Sequence, residues 1–110
     1  MRAYQSLDRN TAPVIRDVIA RMPAKGEVRI EIAACGLNFA DLLMAQGRYQ
    51  DTPPVPFTLG LEFAGVVAEL GEGVTLLPVG ARVAVVAGQG GLAGVSPPAE
   101  HLSRQLRFRR

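Results

Sequence analysis

The run Val28-Arg29-Ile30-Glu31-Ile32-Ala33-Ala34-Cys35-Gly36-Leu37-Asn38-Phe39-Ala40-Asp41-Leu42-Leu43-Met44-Ala45-Gln46-Gly47 sets the architecture, because its hydrophobic period changes half-way along. Over residues 28–34, Val28, Ile30, Ile32 and Ala34 alternate with Arg29, Glu31 and Ala33, the period of two that lays one face of a strand on a core. Residues 38–46 are instead good helix formers, and Gly47 stands where helices commonly stop. Asn38 is a good N-cap, and Asp41, three residues later, favours the positive end of a helix. A strand running into a helix of about two turns is the local plan.

On the N-terminal side, Met22-Pro23-Ala24-Lys25-Gly26 marks a turn, and residues 14–21 form an extended, β-branched segment, so residues 1–34 are expected to be an antiparallel meander. On the C-terminal side, Pro53, Pro54 and Pro56 fix backbone dihedrals and remove ladder donors, which predicts an ordered loop, neither strand nor helix, over residues 51–60. Residues 62–70 and 81–87 supply two further strands, separated by the turn signals Gly71-Glu72-Gly73 and Pro78-Val79-Gly80. Short strands punctuated by glycine predict a mainly β fold, a partly open barrel with one short helix near residues 38–46.

A length of 110 residues allows one core, and 48% hydrophobic against 20% charged residues is the composition of a folded chain. The pI of about 9.2 invites a nucleic-acid partner. Four of the 12 cations, however, are Arg104, Arg107, Arg109 and Arg110, which leaves eight against all ten acids in residues 1–100, a formal charge of −2. The body is mildly acidic, and no nucleic-acid partner is expected. Cys35 and His101, one of each type, make neither an internal disulfide nor a four-ligand structural zinc site. Residues 1–10 do not read as a secretory signal, and no stretch approaches the ~20 apolar residues of a membrane span. A soluble, cytoplasmic protein with no membrane partner is the expectation.

After the strand at 83–86, Gly88-Gln89-Gly90-Gly91-Leu92-Ala93 matches G-x-G-x-x-A, the dinucleotide-binding fingerprint. That fingerprint works only where a helix begins at the glycines and points its amides at a pyrophosphate. Pro97 and Pro98 would stop such a helix within a turn or so, so a glycine-rich loop between strands is the better expectation.

Taken together, Gly36-Leu37-Asn38-Phe39-Ala40-Asp41-Leu42-Leu43, Gly47-Arg48-Tyr49, Pro53-Pro54-Val55-Pro56-Phe57, Gly60-Leu61-Glu62-Phe63-Ala64-Gly65-Val66-Val67 and Val79-Gly80-Ala81-Arg82-Val83 strongly resemble the N-terminal domain of the medium-chain dehydrogenase/reductase superfamily. Within it, the chain is most similar to the zinc-independent NADPH:quinone oxidoreductases. The resemblance runs over residues 1–91 and implies a GroES-like barrel, the catalytic half of an enzyme whose other half, a nicotinamide-binding Rossmann domain, is absent here. It also implies a small-molecule quinone or enone substrate, NADPH as cofactor, and a homodimer or homotetramer for full-length relatives. The zinc enzymes of the superfamily place a cysteine ligand where this chain has Asn38 and a histidine ligand where it has Leu61. Leucine has no donor atom and an amide oxygen suits the metal poorly, so no metal site is expected.

Asn38 and Asp41 match positions beside the nicotinamide end of the cofactor, with Phe39 between them; helix capping is the structural alternative for both. Tyr49 matches a tyrosine lining the active-site cleft, where a phenol can donate to a quinone oxygen or supply a proton; packing on the proline loop is its alternative. The catalytic candidates are therefore Asn38 and Tyr49, and the cofactor-binding candidates Asn38, Phe39, Asp41 and Glu62. Glu62 lies beside the lost histidine position and is expected near the cofactor, with a structurally paired or a solvated acid opening a strand as the alternatives. Cys35, without a basic partner, is expected to be a small core residue and not a nucleophile. Residues 92–110 depart from the family, and their arginine-rich ending, with no clear strand period, suits a truncated or frame-shifted reading frame. A non-enzymatic GroES-like interaction module, in the manner of a co-chaperonin, is the competing function.

Overall fold

The computed structural model describes residues 1–94 and the backbone of residues 105–107. Its elements run β1 (Arg2–Ser6), β2 (Val14–Asp17), β3 (Val28–Gly36), α1 (Phe39–Ala45), β4 (Phe57–Thr58), β5 (Glu62–Leu70), β6 (Arg82–Val86) and β7 (Gln105–Arg107). Two small antiparallel sheets hold them, β2-β1-β4 and β3-β5-β6-β7, so the fold is mainly β with one short helix. No doubly wound parallel sheet occurs among the described residues, and no helix among them is long and apolar enough to cross a membrane.

Two expectations are corrected, and the ending adds a strand. Residues 1–34 are not one meander: β1 and β2 form a hairpin, but β3 leaves them and pairs with β5, Val28 opposite Leu70 and Gly36 opposite Glu62. Within the proline loop, Phe57 and Thr58 do form a short strand, because the edge of β1 takes them up opposite Ser6 and Gln5. The arginine-rich ending, which shows no strand period, holds β7, whose backbone pairs Gln105 with Val85 and Arg107 with Val83. His101 and the remaining tail arginines lie outside the described residues.

The main core lies on β3, β5 and β6, where Val28, Ile30, Phe63, Val67, Val83 and Val85 are buried, with Leu77 from the β5–β6 connection. The alternation in β3 does not run to its end. A register irregularity between Ile32 and Ala34 pairs Ile32 with Gly65 and Ala34 with Ala64. A bulge of this kind reverses the facing of the residues beyond it, so Ala34 is exposed while Cys35 packs against the core. Burying these side chains removes apolar surface at about 25 cal/mol per Å2 and is the main source of stability. A smaller cluster of Met44, Phe57 and Leu59, flanked by Tyr49 and Leu61, seats α1 on β4.

Candidate active site

Helix α1 starts from Asn38, whose extended backbone (φ −126°, ψ 154°) is that of an N-cap. Asp41 lies in the first helical turn and is only 8% exposed. Its Oδ2 accepts the backbone N–H of Asn38 at 2.9 Å, and its Oδ1 accepts the backbone N–H of Gly60 at 3.2 Å. One carboxylate thus ties the start of the helix to the segment between β4 and β5.

That segment is in turn bound to the glycine loop. Gly90 N–H donates to the Thr58 carbonyl at 2.8 Å, Gly91 N–H to Gly60 at 3.0 Å, and Leu92 N–H to Leu59 at 2.8 Å. The chains approach so closely that a Cβ on Gly60, at φ +107°, would lie 2.7 Å from the Leu92 nitrogen; one on Gly91 would lie 2.7 Å from the Cys35 sulfur. The glycines of the apparent dinucleotide fingerprint therefore serve backbone packing. Their amides are taken by carbonyls, and no helix begins at residues 88–94 to hold a pyrophosphate. The contacts run past Gly91: Leu92 accepts from Tyr4 N–H and Ala93 bridges to Ala3.

Beside this junction lies a cleft of ≈ 590 Å3, lined by Met44, Tyr49, Asp51, Pro53 and Pro54 from one stretch of chain and by Leu61 and residues 86–89 from another. The Leu61 carbonyl accepts from Ala87 N–H at 2.8 Å and Gly88 N–H at 3.2 Å, so the entry to β5 and the exit of β6 form one rigid wall. Tyr49 is half-buried, with its ring against the smaller cluster, and no hydrogen bond among the described residues engages its hydroxyl. The Tyr49 phenol and the Gln89 amide on this lining can donate hydrogen bonds to a flat molecule carrying carbonyl groups, whereas the Asp51 carboxylate only accepts.

The other candidates are dispersed around this cleft. Asn38 and Phe39 do not line it; they sit at the exposed start of α1, where Leu37 is 76% and Phe39 73% exposed. A planar ring could lie on that apolar surface beside the Asn38 amide. Of the alternatives for Glu62, the structure has the exposed one: it is an outward residue at the first position of β5, and its side chain covers Gly36. It borders a second, apolar cleft of ≈ 440 Å3 that shares Val86 with the first. Cys35 is half-buried, and burial, reinforced by the charges of Asp41 and Glu62, pushes its thiol above the ordinary value, the reverse of an activated nucleophile. Among the described residues no three His, Cys, Asp or Glu side chains gather as metal ligands. Sequence inspection missed Asp51 and Gln89. The only signal for Gln89 was its place in the glycine run, and Asp51 carried none beyond preceding the prolines.

The alcohol dehydrogenase GroES-like domain profile matches residues 24–101. The chain belongs to that family. Within the medium-chain dehydrogenase/reductase superfamily it falls with the quinone oxidoreductases: it is 48% identical over 69 residues to quinone oxidoreductase-like protein 2 of Rattus norvegicus, a match covering 63% of this chain and 20% of that protein. Among solved structures, the human synaptic vesicle membrane protein VAT-1 homolog-like protein superposes with a TM-score of 0.86 at 28% identity over 99% of this chain and 35% of its own. The quinone oxidoreductase of Thermus thermophilus, solved also in complex with NADPH, superposes with a TM-score of 0.79 at 30% identity, over 99% and 32% of the two chains. The GroES-like chain thus spans about a fifth of the curated relative and a third of the solved ones.

Proposed function

We propose that this GroES-like chain is the substrate-binding part of a zinc-independent, NADPH-dependent oxidoreductase that reduces quinones or conjugated carbonyls. The observation that carries this is the cleft lined by both Tyr49 and Leu61, a residue with no donor atom for a metal, at the position where the resemblance implies a histidine ligand in the zinc enzymes. A carbonyl oxygen in that cleft would have to be polarised by hydrogen bonding instead of by a metal, and the unengaged Tyr49 hydroxyl supplies the donor. Gln89 adds a second donor at the rim, while the Asp51 carboxylate, an acceptor only, disfavours a carbonyl oxygen on its own side and so orients the ring. Met44, Leu61 and Val86 supply an apolar side of the cleft against which the ring can lie.

The residues present fit one end of the cofactor. The exposed Asn38 amide, framed by Leu37 and Phe39, suits a carboxamide on a flat ring, whereas the amides of Gly88, Gly90 and Gly91 are taken by carbonyls and offer nothing to phosphates. When bound, NADPH supplies the hydride. Asn38 would hold the carboxamide, Tyr49 would donate to the acceptor oxygen and pass it a proton, and Asp41 would keep the two in register. Glu62, exposed beside Val86, is left with a peripheral role. The 110-residue chain by itself is expected not to turn over, since its relatives are about three times as long or more. A cytoplasmic location belongs to the same proposal and is checked by cell fractionation.

Transplanting residues 1–94 into the Thermus quinone oxidoreductase in place of its matching domain tests the proposal. The chimera is expected to reduce quinone with NADPH in the presence of a zinc chelator, and to lose rate when Tyr49 becomes Phe. A chimera that folds and binds NADPH but reduces no quinone, or does so only with added zinc, would overturn it.

A further inference from the structure

We infer that Asp41 is a positioning residue: a single buried carboxylate fixes the start of α1 and the Gly60-Leu61 wall of the Tyr49 cleft relative to each other, and thereby sets the shape in which a carbonyl ligand is received. The inference rests on the proposal that this cleft takes a quinone-like molecule.

The geometry carries it. An ionised carboxylate is costly to bury unless its oxygens are satisfied. Here no cation among the described residues pairs with it; the partners are two backbone amides, Asn38 N–H at 2.9 Å and Gly60 N–H at 3.2 Å. The second lies 19 residues away in sequence and belongs to the chain that enters the cleft at Leu61. Gly60 is also the residue whose carbonyl receives Gly91 N–H, so a shift at Gly60 moves the glycine loop, and with it Gln89. Capping alone would need only the Asn38 bond. The Gly60 bond makes the same side chain a cross-link between the two stretches of chain that line the cleft. No near neighbour of aspartate reproduces this. Asparagine has the right length but presents an NH2 to one of the two N–H groups, donor against donor, and glutamate is one methylene too long.

The test uses the 110-residue chain as wild type, Asp41→Asn, Asp41→Glu and a control, Val67→Ala, which loosens the main core away from the cleft. Affinity for 9,10-phenanthrenequinone is read from tyrosine fluorescence, folding from thermal melts, and Cys35 reactivity from its rate of alkylation. Both Asp41 variants should bind the quinone about tenfold more weakly, the factor expected for losing one charge-assisted hydrogen bond. Val67→Ala, with a comparable drop in melting temperature, should bind as wild type does. In Asp41→Asn the Asn38 and Gly60 amide resonances should shift together, and Cys35 should alkylate faster because a neighbouring negative charge has gone. Quinone affinity unchanged in Asp41→Asn, with only the melting temperature lowered, would overturn the inference and leave a purely structural cap. A wild-type chain that binds no quinone overturns the functional proposal beneath it. Should Asp41→Asn not fold, the wild type serves alone: saturating quinone should slow hydrogen exchange at Asn38 and Gly60 together, and an effect at neither overturns the inference.

Discussion

Replacing Gly60 by alanine attacks the closest backbone approach in the site, and the structure fixes what it should cost. Two effects add. At φ +107° an L-residue is strained, by roughly 1–2 kcal/mol on the scale of left-handed backbone. The new methyl would also lie 2.7 Å from the Leu92 nitrogen and 2.8 Å from the Gly91 backbone, where the neighbours are main chain and cannot turn aside. Overpacking of that kind costs about 1–3 kcal/mol. Gly73 separates the two effects, because its φ is +82° and a Cβ there meets nothing within 4 Å. Gly73→Ala should therefore show the conformational cost alone, while Gly60→Ala shows both. At about 5 °C per kcal/mol for a chain of this size, the melting temperature of Gly60→Ala should lie roughly 5–15 °C below that of Gly73→Ala by circular dichroism. Equal melting temperatures would refute the claim that the glycine loop is packed directly on the β4–β5 segment.

Other outcomes are expected from the same geometry. Tyr49→Phe removes a hydroxyl that no described residue engages, so stability should hardly change while quinone affinity falls about three- to tenfold, the value of one neutral hydrogen bond, by isothermal titration calorimetry. Glu27 is buried, and the bond from Arg21 at 3.1 Å, with that from Ala24 N–H at 2.8 Å, holds its carboxyl below the ordinary 4.5. A lowered folded-state value gives stability that is present above pH 4.5 and lost as the pH falls below it; the stability advantage of wild type over Glu27→Gln should shrink across that window in melts at stepped pH. Cys35, with its thiol pushed up by burial and by the charges of Asp41 and Glu62, should alkylate more slowly at neutral pH than a cysteine in a short peptide, and urea unfolding should abolish the difference.

The strand-to-helix change at residues 28–47 was legible because each half carries its own period and Gly47, with φ +68°, ends the helix as expected. The partner of β3 was not. It lies in β5, beyond the helix and the proline loop, and nothing in a local pattern distinguishes that pairing from a meander with β2. The bulge at Ala33 was equally hidden, so the alternation placed Ala34 inside where Cys35 packs instead. In the site, Tyr49 and Leu61 could be picked out by resemblance, and the structure brings them together. Asp41 was legible as a helix-capping acid, but its second partner, Gly60, is a tertiary contact. The glycine loop misleads in isolation because a close backbone approach and a phosphate cradle both call for glycine; the difference lies in whether the amides are free, and here they are not.

Amide chemical-shift mapping of the 110-residue chain, titrated with 9,10-phenanthrenequinone and separately with zinc, tests whether a metal-free carbonyl site lies at Tyr49. Saturable shifts are expected at Tyr49, Asp51, Leu61 and Gln89 with the quinone, undiminished by chelator, and none at Asn38 or Leu61 with zinc. Quinone shifts confined to other surfaces, or zinc binding at Asn38 and Leu61 that the quinone requires, would overturn it.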